Sequence, residues 1–235
     1  KLYVWFDAPI GYVSNTKEWL KSVGSKDDYK KDWWQNSETK IEHFIGKDNI
    51  IFHCVIFPVM CLVSEQSNVC YDVPANQYLN LEGKQFSKSS GWYIDAKKAV
   101  EEFGSDSLRY YLLSILPENS DSSFTWNGFQ AKVNGELANN IGNLVNRCLK
   151  FWKKNWPEGI EAEVVSNIIE SDEGELLKNK LSEVRNFLSN KEIKKALEVA
   201  MSMGHFANEY FSEQAPWAQF KEDSKQASET IAKTG

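Results

Sequence analysis

The sequence predicts an α/β fold followed by an all-α one, with the change near residues 120–126. Short apolar runs at 2–6, 41–45 and 78–81 each stop at a turn rich in Gly, Pro or charge. Residues 50–63 form one long apolar stretch. Beyond Asn127 the apolar residues recur every third or fourth position instead of in short blocks.

The chain has 235 residues, more than one average domain. Its 27 basic and 33 acidic residues leave a net charge of −6. That argues against a nucleic-acid binder working by bulk positive charge, while leaving room for a local basic patch. A content of 42% apolar residues is enough for a core and argues against wholesale disorder. The stretch 50–63 contains His53 and Pro58 and is shorter than the roughly 20 residues of a membrane span, so no membrane is expected. Cys54, Cys61, Cys70 and Cys148 form no C-x-x-C pair and match no common zinc spacing. Buried free thiols in a reducing cytosol, and no metal site, are expected. The chain opens on Lys1 inside a strand pattern, as a piece of a longer protein is expected to.

Residues 2–6, apolar and aromatic throughout, suit a strand buried on both faces. Asp7-Ala8-Pro9-Ile10-Gly11 ends it, because Pro9 lacks a ladder donor and Gly11 permits a turn. Residues 14–40 read as short helices and loops. Residues 41–45 are a second strand, closed by the polar turn 46–49. The stretch 50–63 reads as a buried helix, being long for a strand. Residues 78–81 are a third strand, ending at Glu82-Gly83. Strand, turn, helix, strand is the pattern of a doubly wound α/β domain, in which ligands bind beyond the carboxyl ends of strands. Residues 84–91, rich in Ser and Lys, read as a mobile loop. Residues 95–116 read as helical, with Leu108, Leu112 and Leu113 on one face and Pro117 as the stop. From Asn127, a plausible N-cap, an amphipathic helix of about seven turns runs to Pro157-Glu158-Gly159. Helices at 172–189 and 191–212 follow.

Several short motifs carry possible chemistry. Lys84-Gln85-Phe86-Ser87-Lys88-Ser89 offers ammonium and hydroxyl groups that suit a triphosphate, although such a loop alone is more often a solvated surface loop. Asp48 follows a strand and could hold a ribose hydroxyl, or lie in an ordinary polar turn. His53, lone in an apolar stretch, is more often a core residue than a catalytic one. His43-Phe44-Ile45-Gly46 is only faintly similar to the H-I-G-H signature of nucleotide binders, since Lys47 follows the glycine. Asn143 and Arg147 are four apart and share a helix face, with Lys150, Lys153 and Lys154 beyond them. Trp217 after Pro216 is a packing anchor or, if exposed, a surface for stacking an unpaired base.

Taken together these residues resemble one family. Tyr3-Val4-Trp5-Phe6-Asp7-Ala8-Pro9-Ile10-Gly11-Tyr12 is similar to the methionine-pocket strand and turn of methionyl-tRNA synthetases. Phe44-Ile45-Gly46-Lys47-Asp48 with Phe52-His53 resembles the next block of that family. Gln85-Phe86-Ser87-Lys88-Ser89 stands where the class I signature K-M-S-K-S belongs. Asp106 to Leu112 resembles the segment after that loop. Asn143 to Arg147, and Glu213-Gln214-Ala215-Pro216-Trp217, resemble the anticodon-contacting helix and corner.

The resemblance implies a cytoplasmic class I aminoacyl-tRNA synthetase. Residues 1–90 would be the C-terminal half of a Rossmann-like catalytic domain. Residues 91–125 would be a connecting, stem-contact-like region. Residues 126–235 would be an anticodon-binding helical bundle, expected to be truncated. It implies ATP as a substrate, Mg²⁺ on its phosphates, and methionine and tRNA(Met) as partners. Trp5, Ala8, Pro9, Tyr12 and His53 would form the methionine pocket. Asp48, Phe86, Ser87 and Lys88 would bind ATP, with Lys88 the catalytic cation. Asn143, Arg147 and Trp217 would read the anticodon. Gln85 replaces the first signature lysine, and the H-I-G-H half and the zinc-bearing insertion of the family are absent, so the isolated chain is expected to be inactive and without a zinc site. A non-catalytic RNA-binding module and a nucleotidyltransferase with no tRNA role are the competing expectations.

Overall fold

A computed structural model describes residues 8–65, 67–159, 164 and 171–234. The chain divides into two compact units, Lys1–Tyr78 with Pro117–Asp121, and Leu79–Leu116 with Ser122–Gly235. The strand expected at 2–6, with Trp5 in it, lies outside the described residues.

In the first unit, helix α1 spans Ile10–Ser22. Pro9 stands at its N-cap with φ −58°, already helical, so Pro9 opens a helix where a bare turn was expected. Strand β1 is Ile45–Gly46 and pairs in parallel with β2, Ala75–Asn76. The expected strand at 41–45 is therefore shorter and shifted, with only a bridge between Glu42 and Asp72 ahead of it. Helix α2, Lys47–Ser64, follows directly. Its Phe52–Ile56 stretch widens to i→i+5 hydrogen bonding. A left-handed Glu65 at φ 53° closes it.

The helix is present as expected, but it is not buried. His53, Phe57 and Cys61 face the interior at a spacing of four. Ile51, Val55, Val59, Leu62 and Val63 are exposed, the last two at 66% and 81%. One α-helical stripe covers only part of the circumference, and apolar composition does not tell which side is covered. By length and composition alone, α2 is apolar enough to cross a membrane. Its buried stripe packs in the small core of Trp34, Phe57 and Cys61, with Val13, Tyr29 and Ile41 around it.

The second unit holds a three-stranded sheet in the order β4-β3-β5. Strand β3 (Leu79–Leu81) pairs antiparallel with β4 (Lys84–Gln85) and parallel with β5 (Ser122–Phe124). Glu82 and Gly83 turn the hairpin, both left-handed at φ 49° and 77°, as a two-residue primed turn requires. The segment 84–91, expected as a loop, begins with strand β4 and continues through the Ser87–Trp92 bridge into a turn. Helix α3 (Ala96–Phe103) starts on Asp95, whose carboxylate accepts from the Lys98 N–H. Gly104 at φ 78° breaks the expected single helix and starts α4, Ser105–Ser114. On α4 the buried positions are Leu108, Tyr110 and Tyr111, while Leu112 and Leu113 are partly exposed. Tyr111 takes the core place expected of the leucines, against Leu81, Phe124 and Phe129.

Helix α5 (Trp126–Lys132) is capped by Thr125, not Asn127; the Thr125 hydroxyl accepts from the Gly128 N–H. It continues through a wide i→i+5 segment, Val133–Gly142, into α6, Asn143–Asn155. Then come α7 (Asp172–Ser189) and α8 (Ile193–Gln214), close to the expected bounds. Helices α9 (Pro216–Glu222) and α10 (Ser224–Thr234) complete the bundle. Leu144, Cys148, Phe211 and Ile231 form its core.

Candidate functional site

Three clusters of expected site residues lie on this scaffold. The first belongs to the first unit. Tyr12, in the first turn of α1, reaches His53 on α2: the hydroxyl lies 2.7 Å from Nε2. His53 Nδ1 lies 2.9 Å from the Asn49 carbonyl. A carbonyl only accepts, so Nδ1 carries a proton, and in the neutral ring Nε2 then accepts from the tyrosine. Pro9 is buried and Ala8 exposed at the start of α1. Trp5 lies outside the described residues.

Two further rings complete the cluster. His43 packs 4.8 Å from Tyr12 and 5.2 Å from His53, centroid to centroid. Phe57 lies 5.7 Å from His43 and 6.1 Å from Tyr12. His43 is buried to 6% exposure, and its Nε2 has no hydrogen-bond partner. Burial, with help from nearby His53, holds its proton affinity below the ordinary histidine value. Sequence reasoning missed His43 and Phe57 as parts of this cluster. Phe57 follows His53 by one helical turn, which was a usable signal; His43 arrives from another element and left none.

Asp48 lies in the first turn of α2 and is exposed. Its carboxylate accepts a short hydrogen bond from the Tyr78 hydroxyl. That bond to Asp48 raises the proton affinity of Tyr78. Lys47 reaches Asp121 at 3.0 Å and lies over the Tyr78 ring at 4.0 Å. Asp121 is held below the usual carboxylate range by the Tyr78 N–H first and Lys47 second. Asp48 therefore has one oxygen engaged and sits beside a cation and an aromatic face.

The second cluster is the hairpin of the second unit. Ser87 and Trp92 exchange backbone hydrogen bonds at 2.8 and 2.9 Å. Lys88 to Gly91 form the turn between them, with Gly91 at φ 73°. The Ser87 hydroxyl lies 3.2 Å from that of Ser89 and accepts from the Ser90 N–H. The Trp92 indole N–H anchors the hairpin on the Leu81 carbonyl at 3.1 Å. Phe86 and Lys88 are exposed on this closed frame. Among the described residues no group of three or more His, Cys, Asp or Glu side chains could hold a metal ion. The exposed Lys88 ammonium and the half-buried Ser87 hydroxyl are the hydrogen-bond donors of this turn.

The third cluster is in the helical bundle of the second unit. Ala215, left-handed at φ 44°, ends α8, and buried Pro216 starts α9. This corner presents Trp217 46% exposed, 5.7 Å from the buried ring of Phe211. The Arg147 guanidinium lies 4.6 Å from the Phe211 centroid and 5.9 Å from that of Trp217. Ser212 is at the edge of hydrogen-bond range, 3.4 Å from Arg147. Asn143 is exposed one helical turn before Arg147. Arg147 and Trp217 thus come together, and Asn143 shares the face of α6.

Comparison with known proteins finds relatives over nearly the whole chain. Residues 1–149 match the family of class I tRNA synthetases (M). Residues 157–234 match the anticodon binding domain of methionyl tRNA ligase. The chain is 40% identical over 240 residues to the methionine–tRNA ligase of Thermococcus kodakarensis, covering 98% of this chain and 32% of that protein. It is 44% identical over 226 residues to the methionine–tRNA ligase of Protochlamydia amoebophila, covering 94% of this chain and 32% of that one. It therefore spans about a third of the length of these relatives. Among solved structures, Mycobacterium tuberculosis methionyl-tRNA synthetase in complex with methionyl-adenylate aligns with a TM-score of 0.73 at 28% identity, over 99% of this chain and 45% of that one. The free form of that enzyme aligns with a TM-score of 0.74 at 27% identity, over 99% and 44%.

Proposed function

The chain belongs to the class I tRNA synthetase (M) family, and on that premise we propose that it is the part of a cytoplasmic methionine–tRNA ligase that holds methionine, the signature hairpin and the anticodon-reading bundle. The observation that carries this reading is the Tyr12–His53 pair in its ring cluster. A methionine side chain is flexible and polarizable, and its sulfur gains roughly 0.3–1.5 kcal/mol against aromatic rings. The hydroxyl held by His53 adds a polar tip to an otherwise apolar wall. Ala8, Pro9 and Trp5 complete the pocket in this reading.

The reaction joins methionine and ATP as methionyl-adenylate and releases pyrophosphate; the terminal adenosine of tRNA(Met) then takes the methionyl group. The protein contributes position and charge, with no covalent intermediate. Asp48 holds a ribose hydroxyl through its second oxygen. Phe86 lies near the adenine, Ser87 donates to phosphate oxygens, and Lys88 offsets the charge that grows on the departing pyrophosphate. Mg²⁺ bound with ATP would neutralise charge on the phosphates in this reading. Gln85 leaves the hairpin one cation short of the K-M-S-K-S pattern. Arg147, Asn143 and Trp217 read a C-A-U anticodon by stacking and edge hydrogen bonds. The division into residues 1–90, 91–125 and 126–235 follows the same reading.

Methionine-dependent ATP–pyrophosphate exchange tests it. The complete protein carrying this chain exchanges, and the 235-residue chain alone does not. A complete protein that binds tRNA(Met) but does not exchange would favour the non-catalytic RNA-binding module.

A further inference from the structure

Asp48, the ribose-holding candidate of the first unit, is held in turn by a residue from another element. The Tyr78 hydroxyl donates a short hydrogen bond to Asp48 Oδ1. Tyr78 stands between strands β2 and β3, and its backbone is pinned twice. The Gln77 N–H donates to the Pro117 carbonyl at 2.8 Å, and the Tyr78 N–H donates to Asp121 Oδ1 at 3.0 Å. The ring is pinned as well, with the Lys47 ammonium 4.0 Å from its centroid. Lys47 is fixed by two further contacts, 2.9 Å to Gln77 Oε1 and 3.0 Å to Asp121 Oδ1. All these residues belong to the first unit.

An unsupported aspartate on a helix surface rotates about its side-chain bonds, and a ligand that orders it loses affinity to that ordering. The phenol fixes one carboxylate oxygen before any ligand arrives and leaves the other to accept. The Lys47 ammonium forms its ion pair with Asp121, so the second oxygen of Asp48 stays open to an incoming hydroxyl. The phenol keeps its proton for this bond: its proton affinity is raised, chiefly by the hydrogen bond to Asp48 itself.

We propose that Tyr78 is a positioning residue for nucleotide recognition: its hydroxyl orients Asp48, so that the open carboxylate oxygen selects a nucleotide carrying the ribose hydroxyl over the deoxy counterpart. The proposal rests on the reading of Asp48 as the ribose contact, and it adds the residue that makes the contact selective. Tyr78 itself touches no reacting atom in this scheme.

The complete protein carrying this chain is the material. Methionine-dependent ATP–pyrophosphate exchange is measured with ATP, 2′-deoxy-ATP and 3′-deoxy-ATP. Tyr78→Phe keeps the ring beside Lys47 and removes only the hydroxyl. It should raise the KM for ATP roughly two- to tenfold. The KM for the analogue lacking the hydroxyl that Asp48 holds should stay near its parental value, as should kcat and the methionine KM. Side-chain change and missing hydroxyl then act on one contact and are not additive. A merely structural role would raise the KM for ATP and for both analogues alike; that result, or a parental KM for ATP, overturns the proposal. Asp48→Ala separates this from the reading beneath it. If Asp48→Ala loses the parental preference for ATP while Tyr78→Phe keeps it, Asp48 holds the ribose and the role of Tyr78 alone is refuted. If Asp48→Ala keeps that preference, or the parent has none, Asp48 is not the ribose contact and the proposal falls with it.

Discussion

The Tyr12 hydroxyl and His53 Nε2 stand 2.7 Å apart, and the Asn49 carbonyl fixes the opposite nitrogen of the same imidazole. The pair is therefore oriented before any ligand arrives. Replacing Tyr12 by Phe keeps the ring and removes one hydrogen bond, a net loss of about 0.5–1.5 kcal/mol. In the complete protein, Tyr12→Phe should raise the methionine KM by roughly two- to tenfold while the KM for ATP holds. His53→Ala also removes the partner of Tyr12 and should raise it further. Unchanged methionine KM in both variants would take the pair out of the pocket.

Lys88 sits exposed on a hairpin pinned by Ser87, Trp92 and Leu81, so its substitution leaves the frame standing. Its proposed task grows with the charge on pyrophosphate. Lys88→Ala should slow adenylate formation by about 10²-fold and leave the methionine KM near its parental value. Single-turnover measurement separates the two. A parallel loss of methionine affinity and rate would make the hairpin a folding element instead.

His43 links pH to stability. Its folded-state proton affinity is depressed, first by burial and then by His53. The unfolded chain takes up a proton near pH 6.5, and the folded chain resists it. Stability contributed by neutral His43 is fully present above about pH 6.5 and is lost as pH falls from there toward the depressed folded value. His43→Phe keeps an aromatic ring, removes the unpaired Nε2 and removes this dependence. Thermal melts of the 235-residue chain between about pH 5 and pH 7.5 should show a shallower slope for the variant. Parallel slopes would assign the pH response to other groups.

Gly204 marks where α8 crosses the widened segment Val133–Gly142. A Cβ there would stand 2.1 Å from Ile141 Cδ1, the far end of a side chain that would have to rotate away. Gly204→Ala should destabilise the chain by about 0–2 kcal/mol: the roughly 1–3 kcal/mol of overpacking that forces Ile141 off its rotamer, less the roughly 1 kcal/mol that alanine gains over glycine inside a helix. Ile141→Val removes the offending methyl and should restore part of the loss in the double variant. Additive losses would place the strain elsewhere.

Local features were legible in the sequence, and features made by distant partners were not. Pro157 and Gly159 announced the end of α6, and the apolar spacing announced α7 and α8 within a few residues. The hairpin at Lys84 was hidden because Glu82 is not a residue expected at a positive φ, and because its pairing also needs Ser123 and Phe124, some forty positions away. The burial of α2 was overstated because Val59, Leu62 and Val63 match buried residues in chemistry and differ only in what lies against them. At the site, Tyr12, His53, Arg147 and Trp217 could be named from resemblance. Their pairing through space, and the part played by His43 and Phe211, required the fold.

The anticodon assignment can be tested on this chain without catalysis. Trp217 is nearly half exposed at the Ala215–Pro216 corner, and the Arg147 guanidinium lies over both it and Phe211. An exposed indole beside a planar cation suits an unpaired base, which stacks on one and hydrogen-bonds the other. Stacking is worth about 1–3 kcal/mol, so Trp217→Ala should weaken binding of a C-A-U stem-loop by roughly tenfold to a hundredfold. Arg147→Lys keeps the charge but loses the planar fork, and should blunt discrimination against altered anticodons more than it weakens binding overall. Lys153→Ala is the control: on the exposed basic end of α6, it should weaken all stem-loops alike and lessen the salt dependence. The competing reading makes Trp217 a lid on Phe211, which is only 2% exposed. In that case Trp217→Ala would lower Tm substantially and change affinity only through unfolding. Titrations on variants with parental melting curves decide it: normal affinity and normal preference in folded Trp217→Ala and Arg147→Lys would end the anticodon assignment.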